Sequence, residues 1–318
     1  MQKFLMEMST EFGATAHEGR IRDLIADEIK ENVDDITIDN LGNLIAFKKG
    51  KLDKEKIMIS VPMDQICFIV THIEEPTKYK FSMLNTVNLD SLVNASVVFE
   101  NGVKGTILEE ESRIDKNSGI NKLYIKTSKE DEKRYGAIKL GKVCVLDGEY
   151  MESNYDIRGV ALYPRAGCSI IANVIKSVSE VENDVYFVFT AHGMLEARGA
   201  VAAVHSINPT IGIGIGAAPS NDNVKLGKGP VIVCRDRGTV SHRDFVSSIE
   251  DIAKKTNIPF QKEVSKNIYS DSMGILKAGC NCKIVNISFP INNMYSNCEI
   301  VYKEDLALTE KLLIEYIG

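Results

Sequence analysis

The chain has 318 residues, of which 44% are hydrophobic and 26% are charged, and its formal net charge is -6. This length and composition are typical of a soluble globular protein with one large domain or two smaller ones. The acidic balance argues against nucleic acid as a partner, because phosphate binding needs clustered Lys and Arg. No apolar run approaches the roughly 18 residues of a membrane span, so we expect no membrane insertion.

The first predicted elements are a helix, a hairpin and a buried strand. Apolar residues recur at helical spacing from Ile21 to Ile29. Residues 40–43 supply the Asn and Gly of a hairpin turn. Residues 56–63 then form a short, nearly continuous apolar run, which predicts a strand covered on both faces.

The middle of the chain has a different pattern. Residues 72–156 contain short strand-like pieces separated by polar turns, with no strong helical periodicity. This pattern predicts a small β domain, residues 72–156, inserted into an α/β domain made of residues 1–71 and 157–318.

The last third returns to alternating elements. Residues 184–190 and 210–215 predict strands, a helix follows Ser241, and residues 282–289 predict a strand before the C-terminal helix. Strands that alternate with helices indicate a mainly parallel sheet covered by helices.

The cysteine pattern indicates a reducing compartment. Most of the seven cysteines are scattered among apolar neighbours, which is typical of reduced thiols in a cytoplasmic protein. The N-terminal residues 1–12 mix charged and apolar side chains and do not resemble a signal peptide. Cys280 and Cys282 form a Cys-x-Cys pair with no second pair at zinc-site spacing, so the metal signal there is weak.

Blocks of sequence in a fixed order carry a resemblance that covers almost the whole chain. They are Thr15–Glu18, Asp39–Leu44, Met63-Asp64 with Ile66 and Phe68, Arg165–Cys168, Arg198–Ala200, Leu226–Pro230, Ile258–Gln261, Asp271 and Pro290–Glu299. In these blocks the chain resembles the glutamyl/leucyl aminopeptidase family of tetrahedral, self-compartmentalising zinc aminopeptidases. Proteins labelled deblocking aminopeptidase and endoglucanase belong to the same family.

The resemblance implies a fold, an assembly and a chemistry. The fold is a zinc-peptidase α/β domain split by a small PDZ-like β domain, and the subunits pair and assemble further into homo-oligomers. The chemistry uses two zinc or cobalt ions bridged by an Asp. These ions bind the free α-amine of a peptide and activate a water, with a Glu as the general base.

At each functional position of that family, this chain has a residue that cannot perform the role. The metal-ligand positions are Pro62, Tyr163, Met194, Gly216 and Tyr295, and the general-base position is Gly193. Such neutral side chains cannot offset two divalent charges. The resemblance therefore implies no bound metal and no intact catalytic residue. We expect a residual pocket that contains Asp64, Arg165, His192 and Asp271.

Two alternatives stay open. A shift of register would bring His192, Glu196 or His72 to the metal, although the flanking motifs fix the register and strand alternation points His192 away from the site. Cys168 or Cys298 would serve as a nucleophile in a different chemistry, although no motif places a His to activate either.

The leading hypothesis is a cytoplasmic, oligomeric pseudoenzyme that binds a peptide, a small ligand or a catalytic paralogue. The rival is an active aminopeptidase or other hydrolase that uses substitute ligands or different chemistry. In the first case Tyr163, Met194 and Tyr295 should converge on the former metal position. Asp64 should then accept a hydrogen bond, with Tyr163, Tyr295 or Arg165 as the expected donor.

Overall fold

A computed structural model describes residues 2–52, 54–84, 91–110, 120–266 and 268–318. These residues form an eight-stranded sheet with helices, a closed six-stranded barrel and a small three-stranded sheet. In the described ranges no helix is long and apolar enough to cross a membrane.

The bounds of the elements are as follows. The helices are α1 (Gln2–Thr10), α2 (Gly19–Ile29), α3 (Lys129–Tyr135), α4 (Leu162–Ser177), α5 (Arg198–Ile207), α6 (Arg243–Lys255), α7 (Asp271–Lys277) and α8 (Lys303–Ile317). The strands are β1 (Asp35–Ile38), β2 (Leu44–Lys48), β3 (Lys56–Pro62), β4 (Cys67–Glu75), β5 (Lys78–Met83), β6 (Ser96–Phe99), β7 (Lys104–Glu109), β8 (Leu123–Thr127), β9 (Val143–Leu146), β10 (Met151–Glu152), β11 (Asp156–Gly159), β12 (Asp184–Thr190), β13 (Ile211–Pro219), β14 (Val231–Arg235), β15 (Gln261–Val264), β16 (Lys283–Ile291) and β17 (Glu299–Tyr302).

The large sheet is parallel at its centre and mixed at its flanks. Its order is β1-β2-β12-β3-β13-β16-β14-β15. The four strands from β12 to β16 pair in parallel, whereas β1 with β2, β2 with β12 and β14 with β16 are antiparallel. The predicted parallel arrangement is therefore correct for the four central strands and for β14 with β15, whereas the sheet as a whole is mixed. The hairpin explains one flank, because strands joined by a tight turn must run antiparallel.

Helices cover both faces of the parallel centre. On one face, α4 packs against β3 and β13 and is covered by α1, α2 and α8. On the other face, α5 and α7 pack against each other and against the same strands. Since both faces are covered, β3 and β12 are buried along almost their whole length. The carboxyl ends of these parallel strands meet at one edge, where open sheets commonly bind ligands.

The strands in the middle of the chain, β4 to β9, close into a barrel, and their assignment to a separate inserted domain of residues 72–156 stays a prediction. The order around the barrel is β4-β5-β8-β7-β6-β9, with β9 also paired to β4. Burial alternates along β8, as expected for a strand with one face towards a barrel interior. The predicted boundary at residue 72 falls inside β4, and β11 pairs outside the barrel with β17. The finer assignment of this domain as PDZ-like stays a prediction.

Candidate functional site

Three of the six positions that the resemblance assigns to metal binding or catalysis line one small cavity at the carboxyl edge of the parallel strands. Tyr163 lies in the first turn of α4, Met194 follows β12, and Tyr295 follows β16. The other residues that line the cavity are Gln65, Ile66, Leu146, Ala161, Pro164, Ser296 and Glu299. The cavity offers about 20 Å³, which is room for about one water molecule.

The two tyrosines pack against each other at this cavity. The ring centroids of Tyr163 and Tyr295 lie 5.7 Å apart at an interplanar angle of 82°, an edge-to-face arrangement. The hydroxyl of Tyr163 donates to the carbonyl oxygen of Tyr269 at 2.9 Å. Burial raises the pKa of both phenols well above the ordinary value, so both hydroxyls remain protonated. The aromatic pair therefore presents neutral hydroxyls where a metal centre would need charge.

A buried carboxylate, Glu299, fixes the backbone of both tyrosines. One oxygen accepts the N–H of Tyr163 at 2.9 Å, and the other accepts the N–H of Tyr295 at 2.6 Å. Tyr295 has a positive φ of 69°, which costs a residue with a Cβ about 1–2 kcal/mol. Burial raises the pKa of Glu299 to about 7 against the opposing effect of these N–H groups. Glu299 ends the family block Pro290–Glu299, but its role was not predicted from the sequence. The available signal was an acidic residue at the start of an apolar strand.

Asp64 is fully buried and hydrogen-bonded, but not by the donors that the sequence predicted. It accepts the hydroxyl of Thr15 at 2.6 Å and the N–H of Met194 at 3.1 Å to each oxygen. Burial, and secondly the charge of Glu18, raise the pKa of Asp64 to about 7. A carboxyl in this position is close to half-protonated at neutral pH.

Two of the three predicted donors, Arg165 and Tyr163, bond other groups. Arg165 donates to the carbonyl oxygen of Met63 and, at 2.9 Å, to the side-chain oxygen of Gln65. The hydroxyl of Tyr163 faces Tyr269, as described above. The prediction that Arg165, Tyr163 or Tyr295 would bond Asp64 is therefore wrong. Thr15, which lies 49 residues earlier in the chain, fills that place.

The residues predicted for a residual pocket, Asp64, Arg165, His192 and Asp271, do not line this cavity. Asp271 begins α7 and accepts the hydroxyl of Thr190 at 2.8 Å, and burial raises its pKa to about 7. The backbone N–H of His192 donates to Glu18 at 2.9 Å. Asp64, Arg165, His192 and Asp271 each form a hydrogen bond with another group of the protein. They support the residues that line the cavity and do not line it themselves.

The remaining altered positions are packed closely. A Cβ on Gly193 would overlap the ring of Pro62 and would lie 3.0 Å from Asp64. Gly216 in β13 is paired with Ser288, and a Cβ there would lie 3.3 Å from the Ser288 hydroxyl. A side chain at position 193 therefore has no room while Pro62 is present.

The donors at this edge do not fit the two-metal centre that the resemblance implies. Within the described part of the chain, no three His, Cys, Asp or Glu side chains are grouped so that they could hold a metal ion. Asp64 and Asp271 already accept hydroxyl hydrogen bonds. Zinc and cobalt pairs need several imidazole and carboxylate ligands around a shared position.

The residues that the sequence offered as substitute metal ligands or as nucleophiles each have a different environment. His72 is exposed on the barrel strand β4, and Glu196 forms an exposed ion pair with Lys277 at 3.1 Å. Cys168 is buried in α4, and burial raises the pKa of its thiol to about 12, which disfavours a nucleophilic thiolate. Cys298 is half-buried between β16 and β17.

Several known proteins that are similar to this chain are named as aminopeptidases. The family model described as M42 glutamyl aminopeptidase matches residues 42–312. A protein of Acetivibrio thermocellus with a provisional aminopeptidase name is 34% identical, over 96% of this chain and 94% of its own length. An aminopeptidase structure from Desulfurococcus kamchatkensis has a TM-score of 0.90 at 25% identity and covers 99% of this chain and 93% of its own. The TET1 peptidase of Pyrococcus horikoshii, described as assembling into a tetrahedron or a large octahedral shell, has a TM-score of 0.86 at 26% identity, with coverage of 99% and 98%.

Proposed function

We propose, since this chain belongs to the M42 glutamyl aminopeptidase family, that it is a non-hydrolytic member which acts through assembly and binding. One observation carries the proposal. The position where the relatives' chemistry would take place is filled by Tyr163, Met194 and Tyr295, which leave about 20 Å³ between them. Neutral, closely packed side chains replace the charged ligands that two divalent ions require.

The charge at the site supports the same proposal. Burial raises the pKa of Asp64, Asp271 and Glu299 to about 7 in each case. Such carboxyls supply less negative charge at neutral pH than ordinary carboxylates do. They are kept in place by hydroxyl and N–H donors of the protein itself, which stabilises a site without metal.

The size of the cavity bears on what the chain binds. Room for about one water molecule excludes a peptide at this position unless a tyrosine moves. The proposal therefore favours a partner at the outer surface over a peptide in the old site. A second copy of this chain or a catalytic paralogue within one particle is the partner that fits a family of assembling peptidases, and the barrel would take part as the PDZ-like assembly domain. All seven cysteines are free, which supports a cytoplasmic location.

The first experiment measures metal and turnover together. The purified chain is incubated with zinc or cobalt, passed over a desalting column and analysed for bound metal. It is also assayed on unblocked aminoacyl anilides, with the Pyrococcus horikoshii TET1 peptidase as the positive control. We expect well under one equivalent of metal and no metal-dependent turnover. Two equivalents of metal, or turnover that a chelator abolishes, would favour the rival hypothesis of an active aminopeptidase with substitute ligands.

The second experiment tests assembly. Light scattering over micromolar concentrations should give a mass several times that of the 35.2 kDa chain. A monomer across the whole range would contradict the assembly part of the proposal. The proposed lack of hydrolytic activity would then rest on the metal and turnover measurements alone.

A further inference from the structure

The turn between α7 and β16 holds two thiols in contact, away from the site described above. The Sγ atoms of Cys280 and Cys282 lie 2.7 Å apart. This is closer than unbonded sulfur atoms normally approach, although it is longer than an S–S bond, which is about 2.05 Å. Both side chains are half-buried, and they pack against the cluster that contains Ile275 and Ile284.

The turn is also open to a small reagent on one side. Gly279 precedes the pair with a positive φ of 76°, and no atom lies within 4 Å of the place where its Cβ would stand. Asn281, between the two cysteines, and Lys283, directly after them, are exposed. A small anionic disulfide such as oxidised glutathione can therefore approach the sulfur atoms from solvent.

We propose that Cys280 and Cys282 form a reversible thiol–disulfide redox site whose oxidant is a low-molecular-weight disulfide. The thiolate of Cys280 attacks one sulfur of the disulfide, forms a mixed disulfide and releases the first thiol. The sulfur of Cys282 then attacks the Cys280 sulfur, closes the Cys280–Cys282 bond and releases the second thiol. The two protein sulfurs lose two electrons in total, the small disulfide gains them, and the two thiol protons leave with the two released thiols.

The order of attack follows from the surroundings of the two sulfurs. Burial, and secondly the hydrogen bond with Cys280, raise the pKa of the Cys282 thiol to about 12. Cys282 is therefore the poorer starting nucleophile. The Cys280 sulfur contacts Cys282 and the carbonyl oxygen of Ile275, at 3.3 Å. Closing the disulfide gives up only these two weak interactions.

The sequence supplies a direct assay. Trypsin cuts after Lys277 and Lys283 and releases residues 278–283, which contain both cysteines and no others. The full chain is equilibrated with glutathione at a series of reduced-to-oxidised ratios, quenched with acid, alkylated and digested. We expect this peptide to change from the doubly alkylated form to one that lacks two hydrogens and carries no alkyl group. Cys234 and Cys298, which are also half-buried, should remain alkylated at the same ratios.

Two variants separate the roles of the sulfurs. Cys282→Ser should accumulate a mixed disulfide with glutathione on Cys280, because the second attack is removed. Cys280→Ser should accumulate several-fold less on Cys282, because burial raises the pKa of that thiol and leaves little thiolate to attack glutathione disulfide. Thermal unfolding of both variants checks that they are folded.

Three outcomes would overturn the inference. The peptide could stay doubly alkylated at the most oxidising ratio, or it could carry only mixed disulfides in the unsubstituted chain. Alternatively, one equivalent of zinc could block alkylation of both thiols until a chelator is added, which would make the pair a metal site.

Discussion

Two neighbouring regions of the α/β domain differ in how firmly their residues are fixed. We call the first the hairpin junction; it consists of Asp39, Asn43, Ala191 and Gly199. Asp39 accepts the Asn43 side-chain amide at 2.6 Å, and that amide also donates to Gly199 at 3.0 Å. The Asn43 oxygen accepts the N–H of Ala191 at 2.8 Å. Each polar atom in this junction has a specific partner, and a different side chain would leave one unpaired.

We call the second region the strand-end site; it consists of Tyr163, Met194, Tyr295 and Glu299. Here Glu299 holds the backbone N–H groups of both tyrosines, whereas the side chains of Tyr163, Met194 and Tyr295 meet mostly by packing around a cavity. Met and Tyr side chains adapt to such irregular spaces. The difference predicts that substitutions in the hairpin junction cost more stability than substitutions of the three packed side chains in the strand-end site.

The largest expected effect comes from filling Gly199. A Cβ there would overlap the carbonyl oxygen of Ala191 and the side-chain oxygen of Asn43, and a backbone oxygen cannot move aside cheaply. We expect Gly199→Ala to lower the free energy of unfolding by about 3 kcal/mol, measured by urea denaturation. Gly216→Ala is the matched control, since its Cβ meets only the Ser288 hydroxyl at 3.3 Å; it should cost under about 1 kcal/mol. Equal losses of unfolding free energy in the two variants would contradict the difference between the two regions.

The next prediction tests whether the residues at positions 62 and 193 depend on each other. Gly193→Glu should cost about 2 kcal/mol, because its Cβ overlaps the ring of Pro62. The double variant Pro62→Gly with Gly193→Glu should lose about 1 kcal/mol less than the sum of the two single variants, because glycine at position 62 removes the Cβ that the new side chain meets. Strict additivity in the same denaturation assay would show that the two positions do not interact.

An effect of comparable size for each carboxyl concerns pH. The pKa of Asp64, Asp271 and Glu299 is raised from 3.8, 3.8 and 4.5 to about 7 in the folded chain. Between about pH 4 and about pH 7 the folded chain therefore binds more protons than the unfolded chain. Stability should consequently fall as pH rises through that window. We expect the free energy of unfolding to be lower at about pH 8 than at about pH 5.5, by about 2 kcal/mol for each carboxyl that titrates with a pKa of about 7.

One variant identifies the contribution of a single carboxyl to that pH dependence. In Asp64→Asn the amide oxygen can accept the Met194 N–H, and the amide nitrogen can donate to Thr15. The shape is kept while the titration is removed, so the pH slope should shrink without loss of stability at about pH 8. An unchanged slope would exclude Asp64 as a source.

The smallest effect is that of one phenolic hydroxyl. Tyr163→Phe removes the hydrogen bond to the Tyr269 carbonyl and should cost about 1 kcal/mol. Tyr295→Phe is the control, since no hydrogen bond from its hydroxyl is found in the described part of the chain, and it should cost less. Thermal unfolding of the two variants side by side measures the difference. A greater loss in Tyr295→Phe would contradict this account of the site.

The central strands were predictable from sequence because their signal is local. The predicted residues 56–63, 184–190 and 282–289 correspond closely to β3 (Lys56–Pro62), β12 (Asp184–Thr190) and β16 (Lys283–Ile291). The helix α4 gave no such signal. It is buried on all sides from Leu162 to Ile175, so it lacks the polar face that makes helical periodicity visible.

Non-local contacts set the limit of the sequence analysis. Closure of the barrel depends on the pairing of β4 with β9, which no local pattern encodes. The donor to Asp64 could not be chosen for the same reason, because Thr15 approaches it from a distant segment. Family motifs placed Tyr163, Met194 and Tyr295 near each other, while the Glu299 hydrogen bonds to Tyr163 and Tyr295 required the three-dimensional arrangement of β17.

The close fit of Pro62 against Gly193 has a consequence for the history of the molecule. Any single substitution that adds a side chain at position 193 meets the Cβ of Pro62 and lowers stability. Natural proteins have only about 5–15 kcal/mol of stability, so such substitutions are removed by selection. Glycine at position 193 is then hard to exchange while the backbone keeps its present path, because every residue except glycine at position 62 has a Cβ in the same place. A laboratory attempt to place a side chain at position 193 should therefore first place glycine at position 62.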